Sequence, residues 1–131
     1  MAGGRSGLGR SVMLVEDEPM IALMVEDMLA AKGCALAGLF TRNAQALVFL
    51  RDHRPDLAIV DFSLADGKAY PLATELRERR IPFFVISGFT RGAADRSFDG
   101  TLWLDKPFSE EQFCSCLHAC LREAAGSSAY A

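Results

Sequence analysis

Four short apolar runs, Val12–Val15, Leu57–Val60, Phe83–Ile86 and Leu102–Leu104, each end in a residue able to do chemistry. They finish in Glu16-Asp17, Asp61, Ser87 and Asp105-Lys106. In an open parallel α/β sheet, ligands bind just outside the carboxyl ends of the strands, near the point where strand order reverses. Adjacent strands would bring Glu16, Asp17 and Asp61 close together. Two unit charges ~4 Å apart repel by roughly 4 kcal/mol at an effective dielectric near 20. A fold keeps such a cluster only with a cation in it or with one acid protonated. Oxygen-only ligands favour Mg²⁺, which retains waters and also takes phosphate oxygens. Lys106, followed by Pro107, can neutralise the acids and reach an incoming phosphoryl group. Ser87, followed by Gly88, adds a hydroxyl with open access. Phosphoryl transfer needs positioning and charge neutralisation more than covalent assistance. Each motif alone is common at turns and strand ends; all of them in this order point to a Mg²⁺-assisted phosphoacceptor.

The elements that must position these groups alternate between strand and helix patterns, which predicts βαβ units and a parallel sheet. Ser11–Glu16 reads as a buried strand. Pro19 then opens a helix in which Ile21, Met24, Val25, Met28 and Leu29 share a face, and Gly33 ends it. Cys34–Phe40 is a second strand. A helix from about Asn43 to His53 is expected to bury Ala44, Leu47 and Val48. Pro55-Asp56 turns into the third strand, and Asp66-Gly67 punctuates the loop that follows it. The third helix places Ala69, Leu72, Ala73 and Leu76 on one side. Its basic end, Arg77-Glu78-Arg79-Arg80, reads as a solvated face. Residues 90–99 are the least patterned, with room for a short or irregular fourth helix. In the last helix Ser109 and Gln112 form a capping box, Phe113, Cys116, Leu117, Cys120, Leu121 and Ala124 line one face, and Gly126 is the stop.

The 131 residues suit one domain with a real core. Residues 1–10, rich in Gly, Ser and Arg, read as a flexible arm, 11–125 as the domain and 126–131 as a flexible tail. A net charge of −3 without a Lys/Arg stripe argues against nucleic acid. No apolar stretch approaches the ~18 residues of a membrane span, and the N-terminus shows no signal-peptide core. Cys34, Cys114, Cys116 and Cys120 lack zinc-site spacing and read as small core hydrophobes in a reducing, cytoplasmic compartment.

Over essentially Ser11–Ala124 the chain resembles the receiver domain of two-component response regulators. The resemblance is carried by Val12-Met13-Leu14-Val15-Glu16-Asp17-Glu18-Pro19, Pro55-Asp56-Leu57-Ala58-Ile59-Val60-Asp61, Ser87-Gly88 and Leu104-Asp105-Lys106-Pro107-Phe108. It implies a flavodoxin-like, doubly wound five-stranded parallel sheet of order 2-1-3-4-5 with about five helices. It implies that Asp61 accepts phosphate from a histidine kinase or histidine phosphotransfer protein. Glu16, Asp17, Asp61 and the backbone carbonyl of Ser63 would hold Mg²⁺, Ser87 would be the switch hydroxyl, and Lys106 would contact the phosphoryl group. Trp103 falls where the family carries an aromatic switch, although an edge-strand core residue is an equal reading. The chain departs from the family in its Glu-Asp acid pair and in a shortened interval between Ser87 and Lys106. Asp99-Gly100 also replaces the usual small-residue pair. Phe89-Thr90 loosely resembles a bacterial subfamily of stand-alone regulators.

The sequence therefore predicts a signalling phosphoacceptor, not an enzyme, acting as a monomer or weak dimer through a downstream protein target. One alternative is a receiver excised from a longer hybrid kinase or effector. An aspartyl-phosphate phosphatase would want an acid two residues after the nucleophile, where Ser63 stands. A flavodoxin-like cofactor binder would want a Ser/Thr/Gly loop in place of Glu16-Asp17-Glu18.

Overall fold

Strands covered by helices on both faces read as continuous apolar runs, and the central strands here follow that rule. The computed structural model describes residues 9–88, 98 and 100–130, with side chains through Glu123. Its elements run β1 (Ser11–Val15), α1 (Pro19–Ala31), β2 (Ala35–Phe40), α2 (Asn43–Asp52), β3 (Leu57–Asp61), β4 (Ser63–Leu64), β5 (Gly67–Lys68), α3 (Tyr70–Glu78), β6 (Phe83–Ser87), β7 (Leu102–Asp105) and α4 (Glu110–Tyr130). Five parallel strands form one sheet in the order β2-β1-β3-β6-β7. The chain steps outward from β1 to β2, then returns to β3 on the other side of β1. The switch point therefore lies between the carboxyl ends of β1 and β3. This is the expected doubly wound order, with the small antiparallel hairpin β4–β5 inserted after β3.

Alternation along the strands splits the core into two layers. Met13, Val15, Ala58, Val60 and Val85 face α2 and α3, where Ala46, Leu50, Leu72 and Leu76 meet them. Val12, Leu14, Leu57, Ile59, Phe84 and Ile86 face α1 and α4, meeting Val25, Leu29, Phe113, Leu117 and Cys120. None of the four cysteines is in a disulfide, and Cys34 and Cys120 are buried among these hydrophobes. Burial pushes the Cys120 thiol up to about 12, with further small contributions from Glu123 and Cys116.

The structure corrects the sequence reading at two places and extends it at a third. The buried residues of α2 are Asn43, Ala46 and Leu50, whereas Ala44 is exposed and Val48 is 53% exposed. The helix is rotated because its first residue is anchored from outside, as described below. Residues 126–130 continue α4 and do not form a separate tail. A helical glycine costs only about 1 kcal/mol relative to alanine, too little to end a helix without other stop signals. The reciprocal capping box is present, with Gln112 N–H donating to Ser109 Oγ at 3.0 Å and Ser109 N–H to Gln112 Oε1 at 2.8 Å. At the other end the arm is tied down from Gly9, whose N–H donates to Gly33 O at 2.9 Å. The expected fourth helix falls outside the described residues, as does most of the arm. Among the described residues no helix is long and apolar enough to cross a membrane.

Candidate functional site

Strand register sets the chemistry level along one edge of the sheet. Val15 pairs with Val60, Asp61 with Ile86, and Ser87 with Asp105. Lys106 N–H donates to Ser87 O at 2.7 Å, which draws the Lys106 backbone in beside β6. Glu16, Asp61 and Ser87 are all buried, at 1%, 3% and 0% exposure. Buried polar groups of this kind need partners or altered protonation.

Lys106 is the hub. Its Nζ lies 3.0 Å from Asp61 Oδ2 and 3.2 Å from Glu16 Oε1, donates to Glu16 Oε2 at 3.3 Å, and also bonds Glu18 Oε1. Burial by itself would lower this ammonium's pKa. Hydrogen bonds to Glu18 and Asp61, with the charges of Asp61 and Glu16, outweigh burial and hold it above the usual lysine range. The Glu16 carboxyl is pushed up to about 8, chiefly by burial and then by its hydrogen bond and repulsion with Asp61. Glu18 N–H donates to Glu16 Oε2 at 3.0 Å and opposes that rise. Asp17 is raised as well, first by burial and then by the Asp61 charge. The switch point thus concentrates negative charge, and one lysine with a retained proton holds it together.

The donor set suits a hard divalent cation. Carboxylate oxygens of Glu16, Glu18 and Asp61 converge within 4.8 Å of one another. Glu16 Oε1 is buried with the Lys106 ammonium 3.2 Å away and no hydrogen bond of good geometry, so a cation arriving there would share this oxygen with the lysine. Asp17 stands outside that trio, although the Asp61 charge reaches it. Ser63 lies next to the site, its N–H donating to Asp61 Oδ1 at 3.1 Å. Trp103 is held by neighbouring aromatic rings and by the Asp105 carboxylate. Its ring packs 5.3 Å from Phe62 and 5.9 Å from Phe98 between centroids, and its Nε1 donates to Asp105 Oδ1 at 3.1 Å.

Three contributing residues were not singled out from the sequence. Glu18 reads as one more acid before a helix, and nothing local shows that it meets a lysine 88 positions away. Asp66 and Asn43 join across 23 positions. Their one sequence signal is an α2 that opens after Arg42, a residue that makes no side-chain cap.

Comparison with known proteins gives the same answer. The family model described as "Response regulator receiver domain" matches residues 12–118. The transcriptional regulatory protein PdtaR of Mycobacterium tuberculosis is 31% identical over 104 residues, covering 76% of this chain and 51% of PdtaR. The chain therefore spans about half the length of that relative. The polar-differentiation response regulator DivK of Brucella anthropi is 29% identical over 123 residues, covering 88% of this chain and 98% of DivK. The solution structure of SdrG from Sphingomonas melonis superposes with a TM-score of 0.77 at 35% identity, over 88% of this chain and 98% of SdrG. With that match running from β1 into α4 and covering most of its length, the chain belongs to the response regulator receiver domain family.

Proposed function

We propose that this protein is the phosphoacceptor of a His-to-Asp phosphorelay. It takes phosphate on Asp61 from a histidine kinase or histidine phosphotransfer protein in the cytoplasm and signals by changed contact with a downstream protein. The observation that carries the reading is the Lys106 ammonium 3.0 Å from Asp61 Oδ2 at the switch point. There a nucleophilic carboxylate, a cation and a buried hydroxyl share one strand-end edge. An Asp61 oxygen bonds to phosphorus as the P–N bond of the donor breaks, and the electron pair stays with the departing nitrogen of an imidazole that leaves neutral because its other ring nitrogen already carries a proton. Lys106 supplies positive charge to a phosphoryl oxygen, and Ser87 donates its hydroxyl to another. Glu16, Asp17, Asp61 and the Ser63 carbonyl would hold Mg²⁺, with Glu18 as a further carboxylate within reach. When bound, that ion neutralises the charge that develops on the transferring group.

The experiment is incubation with a small phosphodonor and Mg²⁺ followed by mapping of the modified residue. Label on Asp61 that is absent from Asp61→Asn is expected, because the amide is a poor nucleophile and a poor metal ligand. Label persisting elsewhere in that variant overturns the assignment.

A further inference from the structure

Helix α2 begins without a cap of its own. Arg42 occupies the N-cap position and makes no side-chain capping bond, and the first turn holds no acid. The N–H groups that open a helix still need acceptors. Asp66 provides them from across the fold: Oδ1 accepts from Asn43 N–H at 2.8 Å, and Oδ2 from Ala44 N–H at 3.1 Å. Asn43, only 6% exposed, returns the contact. Its Nδ2 donates to Asp66 Oδ1 at 3.2 Å, to Lys68 O at 3.0 Å and, at a longer 3.5 Å, to Gly67 O. Ala65 N–H adds a backbone bond to Thr41 O at 3.1 Å. Gly67, at φ +126°, supplies the turn that lets both chain directions reach α2.

The hairpin fastened in this way carries the floor of the phosphoacceptor site. Ser63 pairs with Lys68 across the β4–β5 ladder, and Ser63 N–H is the group that donates to Asp61 Oδ1. A continuous hydrogen-bonded path therefore runs from the start of α2 through Asp66 and Asn43 to Lys68, Ser63 and Asp61. A serine or threonine at position 42 would cap α2 equally well. What the remote acid adds is placement of the hairpin.

Resting on the phosphoacceptor reading above, we infer that Asp66 is a positioning residue for the site. By docking the hairpin onto α2 it holds the Ser63 backbone against Asp61, where Mg²⁺ and the phosphoryl group are received. Asp66 is exposed and touches none of the converging carboxylates, so its effect on the site passes entirely through the hairpin.

Two variants separate this role from simple helix capping. Asp66→Ala removes both cap and staple, whereas Arg42→Ser combined with Asp66→Ala gives α2 a local cap and leaves the hairpin unstapled. MgCl₂ titration by calorimetry, well below the unfolding transition, reads the site independently of phosphorylation. The expected result is a Mg²⁺ Kd weakened roughly tenfold in both variants, with labelling by a small phosphodonor slowed in both. A wild-type Kd in Asp66→Ala, or a Kd that returns in the double variant, overturns the inference while leaving the phosphoacceptor reading intact. A wild-type chain that neither binds Mg²⁺ nor takes phosphate overturns the underlying reading and the inference together.

Discussion

Glu16→Gln should make the metal-free protein more stable as pH rises, contrary to the usual expectation for losing a charged group. Glu16 is 1% exposed, and its carboxyl is pushed from 4.5 to about 8 by burial and by Asp61. The sign follows from linkage. The folded chain keeps a proton that the unfolded chain releases, so stability is complete below the unfolded value. It is then lost as pH climbs from 4.5 toward about 8. At 1.36 kcal/mol per pH unit the loss is roughly 2–3 kcal/mol between about pH 5 and pH 7, approaching ~5 kcal/mol beyond about pH 8. Glutamine keeps the shape and an oxygen to accept the Glu18 N–H. Its amide N–H also stands in for the retained proton opposite Asp61, so this penalty should be absent at every pH. Urea melts in EDTA, followed by Trp103 fluorescence at intervals from about pH 5 to pH 9, measure the difference directly. The two proteins should agree near pH 5 and separate by roughly 2–3 kcal/mol near pH 7, about 8–12 °C in Tm for a domain of this size. Added Mg²⁺ should narrow the gap, because a bound cation expels the proton. A wild-type-to-variant difference that stays constant across the pH range refutes the reasoning.

Further outcomes follow from the same cluster. Mg²⁺ should raise the melting temperature in proportion to ln(1 + [Mg²⁺]/Kd), about 2.7 kcal/mol at a hundredfold excess over Kd. EDTA should reverse the shift and Asp17→Ala should abolish it; an undiminished shift in that variant places the ion elsewhere. Lys106→Met should remain folded but lose roughly 2–3 kcal/mol in metal-free buffer above about pH 8, because three carboxylates are left without their cation. Mg²⁺ should restore most of that loss, and a Mg²⁺ shift no larger than that of the wild type would show that the ion and the lysine do not share a site. Labelling of the wild type on Asp61 should change Trp103 fluorescence, and Ser87→Ala should still accept phosphate but lose that change. An identical fluorescence change in both proteins would remove Ser87 from the signalling path.

The strand-end edge that gathers Asp61, Ser87 and Lys106 was legible from the chain alone because its cause is local and periodic. Uncharged runs such as Leu57–Val60 and Phe83–Ile86 must be strands covered on both faces. A parallel sheet then delivers whatever follows each run to one side, so Asp61, Ser87 and Lys106 could be grouped without coordinates. The last helix was legible at its start for the same reason, since a capping box is written in four consecutive residues. Its end was not, because Gly126 is a weak stop whose effect depends on the rest of the helix.

What only the tertiary structure decided are the pairings that span distant segments. The trio around Lys106 includes Glu18, and a hydrogen bond across 88 positions leaves no trace in local pattern. The phase of α2 was misjudged because apolar spacing favoured Ala44 and Val48. Asp66, 23 positions downstream of Asn43, instead binds the first N–H groups and turns Asn43, Ala46 and Leu50 inward. Periodicity records which face a helix would choose in isolation. A cap donated from another element adds charge-assisted hydrogen bonds to that choice, and over ten residues of weak amphipathicity they set the rotation.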